Sequence, residues 1–350
     1  MVTLSCSAAP GSGGLGRHIA ELLEEAHRSR QVCRYYSTSA PPDQPVPGEV
    51  VGSRTADWLC TRTPFRFSSG WRAFLHGDLF DRGVAARLAG TEAHVGFAGQ
   101  AGRTFLRARE LGAARLELVA ATSHVDNVAR RNAEARRRWP IEGHWLNEAH
   151  RRKALREYEM ADVIQVTSEY SLRSFLERGV APERLRRWMP STDPRFRPPT
   201  SRPEDGVFRI VYVGALSVTK GVPVLIEAMR RLAGRDVELT LVGGYGSRGM
   251  RRYVQEALAR DRRIHLAPGD PLPHLQRADV LVHPSYQEGF GYAPAEALAC
   301  GVRVIVSEDT GMKELVRPGV NGWVVPTGSS EAIVERLEAM MAGGRAAAAV

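Results

Sequence analysis

The most constraining feature of this chain is a strand and helix alternation that begins at Phe208 and runs without a break to Ser307. Phe208 to Val213 and Val237 to Val242 are short apolar runs rich in β-branched residues. Gly221 to Ala233 and Met250 to Arg260 have helical spacing. Val280 to His283 is the next strand, Pro294 to Cys300 is a helix stopped by Gly301, and Val302 to Ser307 is a further strand. Strands joined each time through a helix pair in parallel, and a parallel sheet needs helices on both faces. The fold class is therefore α/β, and in such sheets ligands bind in the loops at the carboxyl ends of the strands.

The chain opens in the same way, with a strand from Val2 to Ser7, a glycine-rich turn from Gly11 to Gly16, and a helix carrying Ile19, Leu22 and Leu23. Leu116 to Ala121 and Val163 to Thr167 are further strands, alternating with helical runs at Ala98 to Leu111 and Ser168 to Arg178. At 350 residues the chain suits two α/β domains, and five prolines between Arg186 and Glu204 mark a linker. The expected organisation is two Rossmann-like doubly wound parallel-sheet domains. Residues 1–198 form the first and 199–330 the second, followed by a C-terminal helix and tail at 331–350.

Composition narrows the function classes. The N-terminus lacks the charged region and apolar core of a signal peptide, and no stretch of about 18 apolar residues occurs, so a cytoplasmic chain is expected. Cys6, Cys33, Cys60 and Cys300 have no metal or disulfide spacing and read as reduced, mostly buried thiols. The net charge of +9 calls for an acidic partner, which includes phosphate-bearing substrates and anionic membrane. The Arg clusters at Arg130 to Arg138 and Arg151 to Arg156 are candidates for peripheral membrane contact, beside the plainer reading of salt-bridged helix faces. No recognisable module or aromatic stacking array accompanies the charge, so nucleic acid is not an expected partner. Lysine occurs only at Lys153, Lys220 and Lys313, which makes each position informative.

The densest chemistry lies in Glu288-Gly289-Phe290-Gly291-Tyr292-Ala293-Pro294-Ala295-Glu296, two carboxylates flanking a glycine-rich strand-to-helix turn. Pro294 suits a first helical turn, whose N–H groups and positive dipole end attract anions. Glu296 can accept two hydrogen bonds from a vicinal diol such as ribose. Glu288 can hold a second polyol, with the Phe290 and Gly291 N–H groups beside it. A plainer role is dipole complementation by Glu296 and solvation of Glu288. Val213-Gly214-Ala215-Leu216-Ser217-Val218-Thr219-Lys220-Gly221 is a second strand-to-helix turn, where the Lys220 ammonium can neutralise a departing diphosphate.

These segments, with Thr310-Gly311-Met312-Lys313-Glu314-Leu315-Val316 and Asn321-Gly322-Trp323-Val324-Val325-Pro326, resemble the family 4 retaining glycosyltransferases of the GT-B fold (glycosyltransferase group 1). The resemblance is strong from Phe208 to Pro326 and loose before that. It implies two Rossmann-like domains facing across a cleft, a nucleotide-sugar donor such as a UDP- or GDP-sugar, and a hydroxyl acceptor. It also implies retention of anomeric configuration and no required metal, and the chain contains no Asp-x-Asp motif. In that family the first Glu contacts the donor sugar and the second the ribose, which places Glu288 and Glu296; Lys220 falls on the diphosphate-binding position. Ala215 departs from the arginine many members carry.

Gly11-Ser12-Gly13-Gly14-Leu15-Gly16 matches a dinucleotide fingerprint literally, but Gln31 to Ser39 lacks the acidic residue that fingerprint needs. By resemblance, Gly13 and Gly14 instead fall on the N-terminal glycine loop that approaches the donor phosphates. His124, beyond a strand end, resembles the histidine placed near the donor sugar, with Asp126 and His76 as weaker candidates. The base would meet backbone around Leu266 to Pro268. The alternatives are a sugar-nucleotide epimerase or phosphorylase on the same fold, and a non-catalytic nucleotide- or glycan-binding protein on a degenerate transferase scaffold.

Overall fold

The computed structural model describes residues 1–29, 33–40, 44–52, 54–143 and 145–343. The Cys33 side chain, part of the loop from Ser39 to Gly48, and the tail beyond residue 343 lie outside that description. The chain divides into two compact units, one of residues 1–129 with 143–191 and one of residues 130–142 with 192–350.

The first unit contains β1 (Val2–Cys6), α1 (Gly13–Arg28), β2 (Cys33–Ser37), β3 (Gly48–Val50), α2 (Arg54–Arg62), α3 (Ser69–Arg87), β4 (Ala93–Phe97), α4 (Gly102–Glu110) and β5 (Arg115–Ala120). The chain then forms α5 (Val125–Arg138), which crosses the boundary at residue 130, and returns through α6 (Glu148–Met160), β6 (Val163–Val166), α7 (Glu169–Leu176) and β7 (Leu185–Arg187). Among the described residues the sheet order is β3-β2-β1-β4-β5-β6-β7, parallel throughout. Gly16 explains how closely α1 approaches the turn after β1: a Cβ there would lie 2.2 Å from the Ala9 carbonyl oxygen. That is the packing duty of a third glycine in such a turn.

The second unit runs β8 (Phe208–Val213), α8 (Val222–Arg231), β9 (Val237–Val242), α9 (Arg248–Arg260), β10 (Ile264–Leu266), α10 (Leu272–Arg277), β11 (Val280–His283), α11 (Tyr292–Ala299), β12 (Arg303–Ser307), β13 (Gly322–Val325) and α12 (Ser330–Ala342). Its strands lie in the order β10-β9-β8-β11-β12-β13, again all parallel. Val280, Leu281, Val282 and His283 are all buried, as the near-continuous apolar run of a central parallel strand requires. Two parallel doubly wound sheets are the architecture expected above.

Three local expectations are corrected. The stretch read as linker begins inside the first unit: β7 pairs with β6, the Trp188 N–H bonds the Val166 carbonyl at 2.8 Å, and Glu21 accepts the Ser191 N–H at 2.8 Å. Strand pairing and the Glu21 contact thus hold Arg186 to Ser191 in the first unit, and the chain enters the second unit at Thr192. Residues 130–142 belong to the second unit, with Ala135 in its core and Trp139 and Ile141 packed against it. The terminal helix, expected as a segment apart from the second domain, is a layer of it. Ile333, Leu337 and Met340, spaced i, i+4, i+7, enter the second unit's core, and α12 packs on α8.

Candidate functional site

In the second unit the strand order reverses between β8 and β11, and a crevice for ligands forms where connections leave such a switch point in opposite directions. The turn after β8 carries Lys220, and the loop after β11 carries Glu288. The two side chains meet: the Lys220 ammonium pairs with the Glu288 carboxylate. His283, at the end of β11, brings its Nε2 to 3.5 Å from the same carboxylate oxygen and to 3.1 Å from Ser285 Oγ. Burial raises the Glu288 carboxyl, but the Lys220 charge and the His283 contact outweigh it and bring the pKa down to about 2. Glu288 is therefore ionised at neutral pH.

Backbone geometry fixes this pair. Gly221, the N-cap of α8, has φ +74°, and a Cβ there would lie 2.0 Å from the Pro284 carbonyl oxygen. Only glycine lets the Lys220 turn lie against the Glu288 loop. Substituting Gly221→Ala is accordingly expected to cost more than ~2 kcal/mol, since it combines left-handed strain with a backbone clash. Urea unfolding of the second unit measures it, and a cost below ~0.5 kcal/mol would contradict the close-packed turn. Tyr212 supports both loops: its hydroxyl donates to the Ala215 carbonyl at 2.8 Å, and its ring lies parallel to His283 at a centroid distance of 6.4 Å.

The Glu288 loop is held from its other side by backbone. The Glu288 N–H donates to the Asp309 carbonyl at 3.1 Å, and the Gly311 N–H returns to the Glu288 carbonyl at 3.2 Å. Phe290 is buried in the unit's second core layer, so its side chain anchors the loop and only its backbone faces the turn's chemistry. Gly291 caps α11 at φ +101°, a conformation that favours glycine. The helix starts at Tyr292, two residues earlier than expected, so Glu296 lies in its second turn rather than its first. Its side chain is only 2% exposed. Dipole complementation at the first turn is thus not its role.

Two residues of this site were not legible in the sequence. Glu142 accepts the Val218 N–H of the Lys220 turn at 2.5 Å, and burial pushes its carboxyl up despite that bond and one from Ser247. Arg131 binds the Asp309 carboxylate at 2.5 Å, and Asp309 also accepts from Thr327 Oγ1 at 2.6 Å. Segment 130–142 therefore ties down the Lys220 turn through Glu142 and, through Arg131, the Asp309 loop that accepts the Glu288 N–H.

The remaining candidates lie in the first unit. Gly13 opens α1 at φ +63°, and a Cβ on Gly13 or Gly14 would meet open space. His124 precedes α5 and is buried against Tyr158 and Phe175, with its Nδ1 accepting the Asp126 N–H at 3.2 Å. Burial lowers its pKa to about 4, partly countered by Asp126, so the ring is neutral at pH 7. Asp126 is occupied by Arg151 at 2.5 Å and Arg178 at 3.4 Å, which is a structural ion pair. His76 is exposed on α3. Ala267, in the segment considered for the base, donates its N–H to the Leu241 carbonyl at 2.9 Å.

Among the described residues no group of three or more His, Cys, Asp or Glu is arranged to hold a metal ion, and no helix is long and apolar enough to cross a membrane. Cys6, Cys60 and Cys300 are buried free thiols, as expected. In the Arg clusters, ion pairs join Arg131 to Glu134, Arg138 to Glu227, and Arg151 and Arg152 to Glu148.

Two doubly wound parallel sheets, one in each unit, are the GT-B architecture. Residues 195–349, most of the second unit, match the family model of glycosyl transferases group 1. The D-inositol 3-phosphate glycosyltransferase of Salinispora tropica is 29% identical over 353 residues, covering 90% of this chain and 72% of that protein. An uncharacterized glycosyltransferase of Methanocaldococcus jannaschii is 36% identical over 131 residues, 35% of this chain and only 33% of the relative's length. Among solved structures, Anabaena HepE in complex with UDP-glucose shares the fold with a TM-score of 0.69 at 16% identity, over 97% of this chain and 88% of that one.

Proposed function

We propose that this chain is a retaining glycosyltransferase that moves a sugar from a nucleoside-diphosphate donor to a hydroxyl acceptor without a required metal ion. The observation that carries the reading is the Lys220–Glu288 pair at the β8/β11 switch point, beside the N-terminus of α8. A diphosphate brought there draws Lys220 to itself, and the helix dipole adds to the same charge compensation. Glu288, ionised and backed by His283, then accepts hydrogen bonds from the donor sugar. Glu296 serves the ribose, and the Phe290 and Gly291 N–H groups lie on the same loop. His124, Gly13 and Gly14 enter this reading only through the resemblance. A neutral His124 acts there by hydrogen bonding rather than by charge.

Retention follows from a front-face reaction. The bond from the anomeric carbon to the phosphate oxygen breaks, the acceptor oxygen bonds to the same face, and the departing phosphate takes the acceptor proton. No carboxylate nucleophile is needed, in contrast to the paired carboxylates of retaining glycosidases. UDP-glucose is the ligand of one structural neighbour, which favours a UDP-sugar over a GDP-sugar as the first donor to try. A cytoplasmic location belongs to the same proposal.

The test is incubation with UDP- and GDP-sugars and a panel of hydroxyl acceptors in the presence of EDTA, with the anomeric proton coupling of the product read by NMR. A product of the donor's own anomeric configuration, formed equally with EDTA, is expected. An inverted product or loss of turnover with EDTA overturns the corresponding part of the proposal. Separately, Glu296→Ala is expected to weaken nucleotide binding by roughly 10- to 100-fold, the loss of a charge-assisted pair of hydrogen bonds. An unchanged dissociation constant removes the ribose role.

A further inference from the structure

Residues 58–77 hold Trp58, Phe65, Phe67, Trp71 and Phe74 together with Arg62, Arg66 and Arg72, and contain no Asp or Glu. They form the corner made by α2, a short 3-10 turn at Pro64–Phe67, and the start of α3, three elements packed on one another. Large aromatic side chains ordinarily face inward, yet here Phe67 is 72% exposed, Trp58 58% and Trp71 42%. Arg62 and Arg72 are exposed among them. The corner is not loosely built. Thr63 Oγ1 accepts the Phe65 N–H and Ser68 Oγ the Trp71 N–H, each at 3.3 Å, so both helical starts are capped. The Trp71 ring contacts Phe65 at 5.6 Å and Phe74 at 5.8 Å, and Cys60 is buried beneath.

We propose that this corner is the surface by which the chain rests on an anionic lipid bilayer. Tryptophan and phenylalanine favour the headgroup and acyl boundary, and arginine beside them is attracted to anionic lipid. Between Asp57 and Asp78 the segment carries three arginines and no acid, which suits that partner. A second copy of the chain fits less well, because a two-fold contact would set these arginines against one another. The surface is distinct from the Arg-rich helices, where Arg131, Arg138, Arg151 and Arg152 are held in ion pairs. It follows β3 in the chain, and α3 then leads back to the start of β4, so the corner lies at the carboxyl end of the first unit's sheet. The inference stands independently of the sugar-transfer reading.

The test is co-sedimentation of the full chain with vesicles of phosphatidylglycerol and phosphatidylcholine, against phosphatidylcholine alone, at low and high salt. Binding to the anionic vesicles is expected, reduced at least about tenfold on the neutral ones and weakened by salt. A triple variant, Trp58→Ser, Phe67→Ser and Trp71→Ser, should lose binding by at least about tenfold while circular dichroism shows it folded, at a melting temperature lowered by the loss of the Trp71 ring contacts with Phe65 and Phe74. Arg62→Glu with Arg72→Glu should lose it similarly. The proposal is overturned if the parent stays in solution with anionic vesicles, or if the triple variant sediments like the parent. It is also overturned if light scattering shows a dimer that the triple variant dissolves.

Discussion

Lowering the pH from 7 to about 4.5 unfolds the first unit while the second remains folded. His18, His94, His124 and His150 all lie in the first unit, and burial is the leading cause that lowers each, to about 3 for His18 and about 4 for the other three. Their packing shows why. His18 stacks on Trp188 at 4.4 Å, and His94 spends both ring nitrogens on Thr3 and Ser5 hydroxyls at 2.8 and 3.0 Å. An unfolded chain protonates these rings near pH 6.5, whereas the folded unit does not until about pH 4 or below. The folded pKa values are depressed, so the stability they contribute is complete above pH 6.5 and lost as pH falls toward 4.

Together the four are worth on the order of 10 kcal/mol across that window, comparable with a whole domain's stability. One group opposes them. Glu157 is buried on the N-terminal turn of α4, accepting N–H groups of Gly99, Ala101 and Gly102, and its pKa is raised to about 7, chiefly by burial. Its native form therefore gains relative stability on acidification between about pH 7 and the ordinary carboxyl value of 4.5, but it is one group against four. Hydrogen exchange resolved by segment, with tryptophan fluorescence of Trp188, follows the transition. Equal protection of the first unit at pH 7 and pH 4.5 would contradict the buried neutral histidines.

Replacing Lys220→Ala lowers turnover by roughly 10² to 10³, the usual cost of removing one preorganised group from a developing charge. The loss falls mainly on kcat, because the leaving diphosphate carries most charge in the transition state. The same change removes the partner that holds Glu288 down, so the Glu288 carboxyl rises from about 2 and the acid limb of the activity moves to higher pH than in the parent. Glu288→Gln also lowers turnover, by loosening the donor sugar, and intact-protein mass spectrometry of the parent with donor shows no glycosyl adduct. A Lys220→Ala variant within threefold of the parent would remove the proposed charge compensation. A trapped adduct would remove the front-face reaction.

The fold and part of the site were legible because they rest on local rules. The β-branched runs at Phe208–Val213, Val237–Val242 and Val280–His283 became central strands, and the glycine at 221 became the left-handed cap that sets Lys220 against the Glu288 loop. What escaped depends on long-range packing, which leaves no period in the sequence. Glu142 and Arg131 looked like a loop acid and one arginine among many. Their duty depends on segment 130–142 leaving the first unit, which only Ala135, Trp139 and Ile141 meeting the second core makes visible. Lys153, in a run of arginines, is mostly buried and pairs with Asp81 and with Asp78 at 3.0 Å. The start of α11 moved to Tyr292 because Gly291, not Pro294, adopts the capping conformation.

Calorimetric titration of the parent with UDP, GDP, ADP and TDP in EDTA, repeated on Lys220→Ala and Glu296→Ala, bears on the proposed nucleotide-sugar site at the β8/β11 switch point. One nucleoside diphosphate is predicted to bind without a metal ion and to bind at least about tenfold more weakly to each variant. Binding equally tight in both variants, or no binding of any of the four, would contradict a donor site built from Lys220, Glu288 and Glu296.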